Sequence, residues 1–390
     1  METLRTDVVV VGLGAFGSAA LWRLAARGAD VIGIERQAIG HALGSSHGVT
    51  RLFRIACMEH PGLPPIAQKS LALWTDLGAQ TGEVLIEQTG SLNAGPPGSE
   101  PVAGALAAAR TAGVPVEELD HAALAARQPQ YGALGADDVG VWDPGAGLCF
   151  PEPIVRAQVE AARELGAKVF AHTLVTAVEV ERDGVLVRTP TVEIRAQRAV
   201  VATGAWLGKV VPGLPLVPRR TPLYWFEPRD PGSDEFTLER FPAFIWQRTG
   251  GIGFWGHGSG DGYGVKLGLE HDGHVAGTPF ADADEVDRYV HPRADVDEIS
   301  TAVSEAFPGL DPIPVKLLPC IVTDSPDGQF LIGRSDDTDR LVIAGGDSGH
   351  GFKHAAGLGE LLAQLTLDEP TYCDTTFLDP RRFTPTPTTH

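Results

Sequence analysis

Residues 7–35 read DVVVVGLGAFGSAALWRLAARGADVIGIE. The apolar run at the start is typical of a buried parallel strand, residues 18–27 predict a helix with one apolar face, and the apolar run near the end predicts a second strand. Gly12, Gly14 and Gly17 follow the spacing Gly-x-Gly-x-x-Gly. This spacing allows a tight turn, lets the backbone approach a pyrophosphate and lets the helix pack closely on the strand. The stretch therefore predicts the βαβ unit of a dinucleotide-binding fold.

The same unit predicts how a nucleotide would be held. The helix N-terminus offers unpaired N–H groups and a positive dipole to the phosphates. Glu35 ends the second strand, where an acid can accept hydrogen bonds from the adenosine ribose hydroxyls. The glycine spacing by itself does not separate NAD from FAD, and a glycine-rich turn that binds nothing is the simpler alternative.

Two later segments favour FAD. Residues 199–206, AVVATGAW, predict a strand that ends in Thr-Gly. Residues 340–347, RLVIAGGD, predict a strand that ends in Gly and Asp, and a predicted helix over 349–365 follows it. Many two-domain flavoproteins carry such a C-terminal unit, whose helix N-terminus can face the flavin. Taken singly, each segment is also consistent with an ordinary βα unit of a sheet.

The amino-acid composition of the chain limits the kinds of partner that it can bind. The chain has 390 residues, 43% of them hydrophobic and 21% charged, which favours a folded protein of two domains. Its formal net charge of −19 repels phosphate backbones and anionic lipid, so we expect neither nucleic acid nor a membrane as a partner. A small anionic substrate would need a locally basic pocket.

Targeting and metal-binding signals are weak in this sequence. No segment reaches the roughly 20 apolar residues that span a bilayer, and the N-terminus lacks the features of a signal peptide. Cys57, Cys149, Cys320 and Cys373 show no metal-ligand spacing, so we expect no metal site and no structural disulfide. These features predict a cytoplasmic protein.

Periodicity along the rest of the chain predicts an interrupted nucleotide domain. It predicts helices over 71–81, 102–112, 122–127, 153–165 and 282–307, strands over 174–194, and aromatic-rich strands over 218–269. We expect an α/β, Rossmann-like FAD-binding domain of the glutathione-reductase type, interrupted by an α+β substrate domain with an antiparallel sheet. The FAD-binding domain would comprise residues 1–85, 150–217 and 318–390, and the substrate domain residues 86–149 and 218–317.

Several residues outside the βαβ unit could carry chemistry. Cys320 lies between two β-like runs, although a buried, inert cysteine is the more common case. Arg51 or Arg54 could grip a carboxylate with its planar guanidinium, or could pair with surface acids. Lys266 lies in a strand bounded by glycines, where an outward-pointing edge-strand lysine is an equal alternative. Lys353 opens the last helix, where a basic side chain opposes the dipole and indicates a nearby anion or flavin oxygen, unless it is simply solvated.

The motifs GLGAFG (12–17), GSSHGVTRLFR (44–54), KLG (266–268), Cys320 and GHGFK (349–353) occur in an order that resembles the monomeric sarcosine oxidase and N-methyltryptophan oxidase family of flavin amine oxidases. The resemblance covers nearly the whole chain. It implies transfer of hydride equivalents from a C–N unit to FAD, hydrolysis of the resulting imine, and reoxidation by O₂ to give H₂O₂. FAD would carry this chemistry, while the protein supplies orientation and charge.

The resemblance also implies roles for residues around the flavin. Cys320 matches the cysteine that forms a thioether to the flavin C8 methyl group. Lys266 matches the lysine near flavin N5 that helps to activate O₂ by electrostatic stabilisation. Arg51 matches a second basic residue beside the flavin, and His350 matches a histidine of the same site. The predicted cofactor site comprises Gly12, Gly14, Ala15, Phe16, Gly17, Glu35, Arg36, Ser45, Thr50, Arg51, Val175, Thr203, Gly204, Trp206, Cys320, Gly349, Gly351 and Lys353.

On the substrate side, Arg54 and Lys353 match the basic pair that binds the substrate carboxylate in this family. Glu59 falls where the family has a carboxylate close to the substrate arginine. The predicted substrate site therefore contains these three residues.

Three positions depart from the family pattern. Glu270, followed by His271, stands where a histidine is usual after the Lys-Leu-Gly strand. Val322 replaces a tyrosine two residues past the flavin-linked cysteine, and Trp255 stands near another tyrosine position. Because these residues would shape the substrate pocket, we include Trp255 and Glu270 in the substrate site and do not expect sarcosine itself. A bulkier N-methyl amino acid, a cyclic imino acid or a biosynthetic intermediate would suit the pocket.

We therefore expect a monomeric enzyme that oxidises the C–N bond of a secondary-amine amino acid to an imine, with O₂ reduced to H₂O₂. The first alternative is an FAD-dependent dehydrogenase that passes electrons to another acceptor, against which Lys266 argues. A biosynthetic imino acid oxidase, a non-catalytic flavin-binding subunit and an NAD-dependent dehydrogenase are further alternatives. The last would leave Cys320 and the C-terminal Gly-Asp-helix segment without a role.

Overall fold

The computed structural model of the chain describes residues 2–260, 262–271, 274–335 and 339–383. Within these ranges the chain forms 21 β-strands. The strands are β1 Glu2–Val11, β2 Val31–Ile34, β3 Arg51–Phe53, β4 Ile86–Glu87, β5 Ser91–Gly95, β6 Glu117–Leu119, β7 Val139–Asp143, β8 Gly147–Cys149, β9 Lys168–Phe170, β10 Ala177–Glu181, β11 Gly184–Arg188, β12 Val192–Val201, β13 Val217–Phe226, β14 Ala243–Trp246, β15 Gly253–His257, β16 Val265–His271, β17 His274–Val275, β18 Thr278–Pro279, β19 Lys316–Asp324, β20 Leu331–Arg334 and β21 Leu341–Gly345.

Eight α-helices lie between these strands in the described residues. None of them is both long and apolar enough to cross a membrane. The helices are α1 Ala15–Ala25, α2 Pro64–Thr81, α3 Ala105–Ala112, α4 His121–Arg127, α5 Pro151–Glu164, α6 Leu207–Val210, α7 Asp297–Ala306 and α8 Ala355–Thr366.

The first large sheet has a parallel centre in the order β9-β2-β1-β12-β21. The antiparallel strands β10, β11 and β20 extend it. Alternate residues of β1 point to opposite faces, so Val8 and Val10 pack under helices α1, α5 and α8, while Val9 and Val11 pack on the opposite side with Leu207. Both faces are therefore covered, as expected for a parallel sheet of an α/β domain.

Helices α1 and α8 pack closely against each other over this sheet. Gly359 in α8 faces the backbone of α1, because a Cβ at this position would lie 2.5 Å from the Ala19 Cβ and 2.6 Å from its carbonyl carbon. Arg23 of α1 and Arg27, two residues beyond the end of this helix, both form ion pairs with Glu360 of α8 at 2.7 Å. The C-terminal helix is thereby held against the helix that follows the glycine-rich turn.

The second large sheet is mixed but mostly antiparallel. Its order is β18-β13-β16-β15-β14-β5-β7-β6, with β17 on β16 and β19 on β13, and only β14 and β5 run parallel. Its core is aromatic. Tyr131 stacks on Trp246 with ring centroids 4.2 Å apart, and Phe241, Phe244 and Phe307 meet them at tilted or edge-on angles. Such contacts add to the free energy gained from apolar burial alone.

A third sheet, β3-β8-β4, is small and lies along the GSSHGVTRLFR segment. In it Arg51–Phe53 pairs with Gly147–Cys149. The fold class is the expected one, an α/β nucleotide-binding domain with a second, largely antiparallel sheet in the same chain. Strand β19, which contains Cys320, pairs with β13 in the second sheet, and the exact domain boundaries remain predictions.

Most predicted helices are present with shifted ends. Helix α2 begins at Pro64 and not at 71, α5 spans Pro151–Glu164, and the 102–112 helix consists of a π-helical turn, Glu100–Gly104, followed by α3. The last predicted helix starts as a 3₁₀ turn at Phe352–His354 before α8. The sequence determines the ends of a helix less strictly than its interior.

The predicted helix over 282–307 is wrong in its first half, since only α7 is helical. Arg220 donates to the carbonyl oxygens of Asp287 and Tyr289, at 2.8 and 2.7 Å. Those carbonyls are then unavailable for a helical ladder, and Pro292 has no N–H to contribute to one. A long-range side-chain contact thus overrides the local pattern.

We predict that Gly359→Ala lowers the free energy of unfolding by about 1–3 kcal/mol, because the added methyl group has no room against Ala19. Chemical denaturation of the purified protein measures this change. Gly208→Ala is the matched control, since this glycine is also helical and a Cβ there would contact nothing within 4 Å. Equal stability of the two variants would contradict the close packing of α1 on α8.

Candidate functional site

One cavity of about 1010 Å³ connects the first sheet with the second. Its one end is the glycine-rich turn at Gly12–Phe16, and its other end is formed by Cys320, Trp255 and Lys353. The residues predicted to bind the nucleotide and those predicted to bind substrate therefore face a common space.

The glycine-rich turn has the geometry that a bound pyrophosphate requires. Gly12 has a φ of +86°, and a Cβ there would lie 2.6 Å from the Ala202 carbonyl oxygen. A Cβ at Gly17 would lie 1.8 Å from the carbonyl oxygen of Gly12, so only glycine lets α1 approach this closely. Helix α1 begins directly after Gly14 with no side-chain cap on that residue. Its first turn thus offers a positive helix end to the cavity.

Glu35 lies at the end of β2 and is held by the backbone. Its two carboxylate oxygens accept hydrogen bonds from the Leu13 and Gln37 N–H groups at 2.9 and 2.8 Å, and His41 lies 3.4 Å away. Burial alone would raise the pKa of Glu35, but these partners outweigh it and lower the pKa. The carboxylate therefore stays ionised, as an acceptor for ribose hydroxyls would need to be.

The rim of the cavity near Glu35 is closed by charged side chains. Asp284 accepts hydrogen bonds from Arg36 at 2.6 Å, from the Trp206 indole at 2.8 Å and from Lys209 at 2.7 Å. These contacts, most of all the one from Lys209, lower the pKa of Asp284. Asp284 was not predicted as a site residue, although it brings the predicted Arg36 and Trp206 together.

The other predicted cofactor residues divide into those that line the cavity and those behind its wall. Gly17 and Thr50 lie behind the wall, Thr50 being completely buried. The cavity wall contains Gly12, Gly14, Ala15, Phe16, Glu35, Arg36, Ser45, Arg51, Val175, Thr203, Gly204, Trp206, Cys320, Gly349, Gly351 and Lys353.

Cys320 lies beside Arg51 at the cavity wall. The thiol Sγ is 3.5 Å from Arg51 Nη2, and the same nitrogen donates to the Ser45 carbonyl oxygen at 2.9 Å. Burial raises the pKa of the Cys320 thiol, and the positive charge of Arg51 opposes that rise. The structure thus places Cys320, the cysteine predicted to bind the flavin covalently, next to Arg51, the basic residue predicted beside the flavin.

Lys266 is buried next to this pair and does not line the cavity. Strand β16 is flanked by β13 and β15, so the edge-strand alternative for this lysine is wrong. Its Nζ donates to the carbonyl oxygens of Gly48 and Thr50, both at 2.8 Å. Burial and the charge of Arg51 lower the pKa of Lys266 well below its usual value.

Arg54, Glu59 and Lys353 form a buried charge cluster, which we call the basic triad. Glu59 Oε1 accepts from Arg54 Nη2 and from Lys353 Nζ, both at 2.8 Å. Burial would raise the pKa of Glu59, but the two cations outweigh it and hold the pKa well below its usual value. The triad therefore carries two positive charges and one negative charge, and the solvated-surface alternatives for these residues are wrong.

The basic triad has capacity left for a ligand. Arg54 is only 3% exposed, and its Nε and Nη1 atoms have no hydrogen-bond partner among the described residues. Buried guanidinium donors without partners are costly, and a carboxylate satisfies two of them at once. Arg54 lines the cavity, so the geometry fits an anion bound there.

His350 follows strand β21 and also lines the cavity. Its Nε2 lies 2.9 Å from the Gly328 carbonyl oxygen, while Nδ1 has no partner in the described structure. Burial lowers the pKa of His350 to about 4, so the ring is neutral at pH 7. Since Nε2 must carry the proton to donate to a carbonyl, Nδ1 presents a lone pair.

The remaining predicted substrate residues, Trp255 and Glu270, also line the cavity. Val322, a position that departs from the family pattern, is also in the wall. Glu270 is 7% exposed, and burial raises its pKa to about 8.

Besides Asp284, sequence reasoning missed four residues that lie in the cavity wall or next to it. Glu100, at the start of the π-helical turn, lines the cavity. Asp347 follows β21, and burial raises its pKa to about 6. His47 is 2% exposed with both ring nitrogens unpartnered within the described ranges, and His257 lies 2.7 Å from the Thr50 hydroxyl. The Gly-Ser-Ser-His motif was a signal for His47, whereas Glu100 and His257 come from segments without a recognisable motif.

The described residues contain no group of three or more His, Cys, Asp or Glu side chains that could hold a metal ion. They do fit FAD. The cavity volume is at the upper end of the roughly 300–1,000 Å³ typical of ligand sites. The glycine turn at the start of α1 lines this cavity, and Thr203 Oγ1 is buried in its wall with no hydrogen-bond partner among the described residues.

Comparison with known proteins agrees with this geometry. The model of the family described as DAO, FAD dependent oxidoreductase, matches residues 7–365. Monomeric sarcosine oxidase of Streptomyces avermitilis is 34% identical over 386 residues, which cover 98% of each chain. N-methyl-L-tryptophan oxidase of Yersinia pestis is 30% identical over 377 residues, or 97% of this chain and 99% of the relative.

Solved structures share the fold at lower identity. NikD, an amino acid oxidase essential for nikkomycin biosynthesis, has a TM-score of 0.82 at 24% identity, over 97% of each chain. L-proline dehydrogenase of P. horikoshii has a TM-score of 0.81 at 23% identity, over 98% of each chain. The chain belongs to the DAO family of FAD-dependent oxidoreductases and, within it, to the group of monomeric sarcosine oxidase and N-methyl-L-tryptophan oxidase.

Proposed function

We propose that the protein oxidises the C–N bond of a secondary-amine amino acid, N-methylated or cyclic, to an imine, with O₂ as the final electron acceptor. Two full-length relatives are named as oxidases of N-methyl amino acids, sarcosine and N-methyl-L-tryptophan. The fold is also that of an amino acid oxidase and of an L-proline dehydrogenase.

The basic triad is the observation that carries this proposal. Its net positive charge and the two free nitrogens of Arg54 fit the carboxylate of an amino acid. A bidentate contact to Arg54 fixes the orientation of the substrate as well as its position. Glu59 holds the two cations in place so that they do not repel each other out of the site.

His350 would form a hydrogen bond with the amine group of the substrate. Its Nδ1 lone pair is unpartnered in the described structure and faces the same cavity as the basic triad. An amine must lose its proton before it can give up hydride equivalents, and the Nδ1 lone pair would accept a hydrogen bond from the amine N–H and hold the nitrogen in position. When bound, FAD supplies the acceptor for the hydride equivalents and the means of passing two electrons to O₂.

Lys266 would favour the oxygen reaction through its charge. Two backbone carbonyl oxygens stabilise the ammonium form, which burial otherwise disfavours. A fixed cation in a region of low dielectric stabilises developing negative charge strongly. This lysine therefore supports O₂ over another electron acceptor.

We also propose that the protein is a monomer, because one of its relatives is named as monomeric.

Cys320 would hold FAD covalently through a thioether. The thiol lies in the cavity wall 3.5 Å from Arg51, whose charge favours the reactive thiolate. The tether would fix the flavin next to the basic triad, since both line one cavity.

The proposed function is tested by adding N-methyl-L-amino acids and L-proline-like cyclic amino acids to the yellow protein without O₂. We expect the flavin absorbance to bleach, and readmitted O₂ to restore it with one H₂O₂ per turnover. Bleaching without peroxide would favour a dehydrogenase. Absence of bleaching by every amine would reject the proposal in favour of a non-catalytic flavoprotein.

We predict that Cys320→Ser releases its flavin on acid precipitation, whereas the wild-type flavin stays with the polypeptide, because serine cannot form the thioether. The absorbance of pellet and supernatant measures the distribution. Cys373→Ser is the control, since this partly exposed cysteine does not line the cavity. Flavin released from the wild-type protein would contradict the covalent link.

We predict that Lys266→Met slows flavin reoxidation by O₂ at least about a hundredfold, the effect expected for removal of a preorganised charge. Flavin reduction by substrate should change far less, because Lys266 does not line the cavity. Stopped-flow absorbance separates the two half-reactions. Lys316→Met serves as the control, since Lys316 lies 4.5 Å above the Trp225 ring yet is exposed. Equal slowing of both steps would refute the oxygen role.

We predict that Arg54→Ala raises KM for an amino acid substrate about thirtyfold or more, since loss of a buried charged hydrogen-bond pair costs about 2 kcal/mol or more. Steady-state peroxide production gives KM. Arg5→Ala, at an exposed position of β1, should leave KM unchanged. An unchanged KM in Arg54→Ala would remove this residue from the substrate site.

A further inference from the structure

The substrate end of the cavity contains two carboxylates that the proposed reaction does not use. Glu270 lies near the end of β16, and Glu100 begins the π-helical turn that precedes α3. Both line the cavity. Glu270 is 7% exposed, and its carboxyl group makes no hydrogen bond or ion pair with another described residue, whereas its backbone is paired within the sheet.

Glu270 is separated from the nearest lysine on its own strand. Lys266, Gly268 and Glu270 share one face of β16, since alternate residues of a strand point the same way. A Cβ at Gly268 would lie 2.2 Å from the Trp255 indole, so the indole lies against the strand at this glycine. The aromatic ring therefore stands between the cation and the carboxylate and keeps them unpaired.

The other charges near Glu270 leave it without compensation. Burial is the main cause that raises its pKa; Arg54 opposes the rise, while Glu59 and Glu100 add to it. Arg54 is already bound to Glu59 at 2.8 Å. Burial and Glu59 raise the pKa of Glu100 too, and only His274 and Arg54 oppose this rise. We call Glu270 and Glu100 the acidic wall; the positive groups that act on it are Arg54, which is already bound to Glu59, and, at Glu100, His274.

A buried carboxyl group without a partner either stays protonated, as the pKa of about 8 implies for Glu270 at pH 7, or ionises at a cost in stability. A glutamine or an apolar residue would avoid both states, and a cation bound beside the carboxyl group would favour its ionised form. The presence of such a carboxyl group beside a binding cavity indicates a ligand group that compensates it. A cation is the group that does so most strongly, because it both neutralises the charge and donates hydrogen bonds. The net charge of −19 also attracts cationic solutes to the molecule.

We propose that the substrate carries a second cationic group, an amine or guanidinium on its side chain, which Glu270 and Glu100 bind in the cavity that also contains the basic triad. This inference rests on the proposed function, which accounts for the carboxylate and the oxidised secondary amine. The substrate class is then an N-methylated or cyclic amino acid with a basic side chain. The acidic wall selects it over an apolar amino acid of the same length.

Binding of ω-amino acids tests the acidic wall without turnover. Isothermal titration calorimetry on the flavin-containing protein would compare 4-aminobutanoate, 5-aminopentanoate and 6-aminohexanoate with butanoate, pentanoate and hexanoate. We expect at least one amino acid to bind about tenfold more tightly than its matched acid. Glu270→Gln should reduce that preference to less than about threefold, and Glu164→Gln, an exposed position outside the cavity, should leave it intact. Equal binding within all three pairs, or a preference that survives Glu270→Gln, would overturn the inference.

Flavin reduction then tests the substrate class. Nα-methyl-L-lysine and Nα-methyl-L-norleucine have the same chain length and differ in the terminal cation. We expect the lysine derivative to reduce the flavin with an apparent Kd about tenfold lower, and Glu270→Gln to remove the difference. If Glu270→Gln weakened both compounds equally, Glu270 would serve the oxidised amine itself and the inference would fall.

The two experiments separate failure of this inference from failure of the proposed function. If N-methyl amino acids reduced the flavin but the ω-amino acids and their matched acids bound equally well, the proposed function would stand. The inference that the substrate carries a second cation would then be rejected. If the protein bound an ω-amino acid preferentially but no amine reduced its flavin, the acidic wall would stand as a cation site and the proposed oxidase function would be rejected.

Discussion

The close approach of α1 to the end of β1 is the constraint on which the site depends. A Cβ at Gly17 would lie 1.8 Å from the Gly12 carbonyl oxygen, and a Cβ at Gly12 would lie 2.6 Å from that of Ala202. Strand β1, helix α1 and strand β12 can therefore meet only through glycine. Because α8 packs on α1, the same contact also positions the C-terminal segment that carries Lys353. The nucleotide end and the substrate end of the cavity are thus linked by backbone packing.

Charge is distributed unevenly along that cavity. The N-terminus of α1 brings the positive end of a helix dipole to the glycine turn, while Glu35 and Asp284 add carboxylates at the same end. At the substrate end the basic triad has a net positive charge, and Glu270 and Glu100 line the same space, with the Trp255 indole between Glu270 and Lys266. Such separation of charge inside a protein is maintained only where packing prevents the opposite charges from meeting. Under the proposed function, this arrangement would favour one orientation of an amino acid that carries a second cation, since reversal would place like charges together.

Local sequence predicted the parts of the molecule whose geometry is local. The βαβ unit follows from glycine spacing and apolar runs, and the order of motifs brought Cys320, Arg54 and Lys353 into one expected site, which the structure places in one cavity. Contacts between distant segments were not predictable in this way. Arg220 prevents a helix over 282–296 by binding carbonyls about 70 residues away, and Asp284 joins the rim through partners on three other segments. The burial of Lys266 behind the cavity wall depends likewise on the third-sheet segment that supplies its acceptors.

The contacts around Asp284 at the rim of the cavity affect how a cofactor would enter and leave the site. The segment that follows β18 crosses the mouth of the nucleotide end, where Asp284 binds Arg36, Trp206 and Lys209, and Arg288 donates to the Leu43 carbonyl oxygen at 2.6 Å. A dinucleotide that lies beneath this segment can leave only when several of these contacts open together. Entry and release of the cofactor would then both require this segment to open, and the thioether proposed for Cys320 would add a covalent barrier to release.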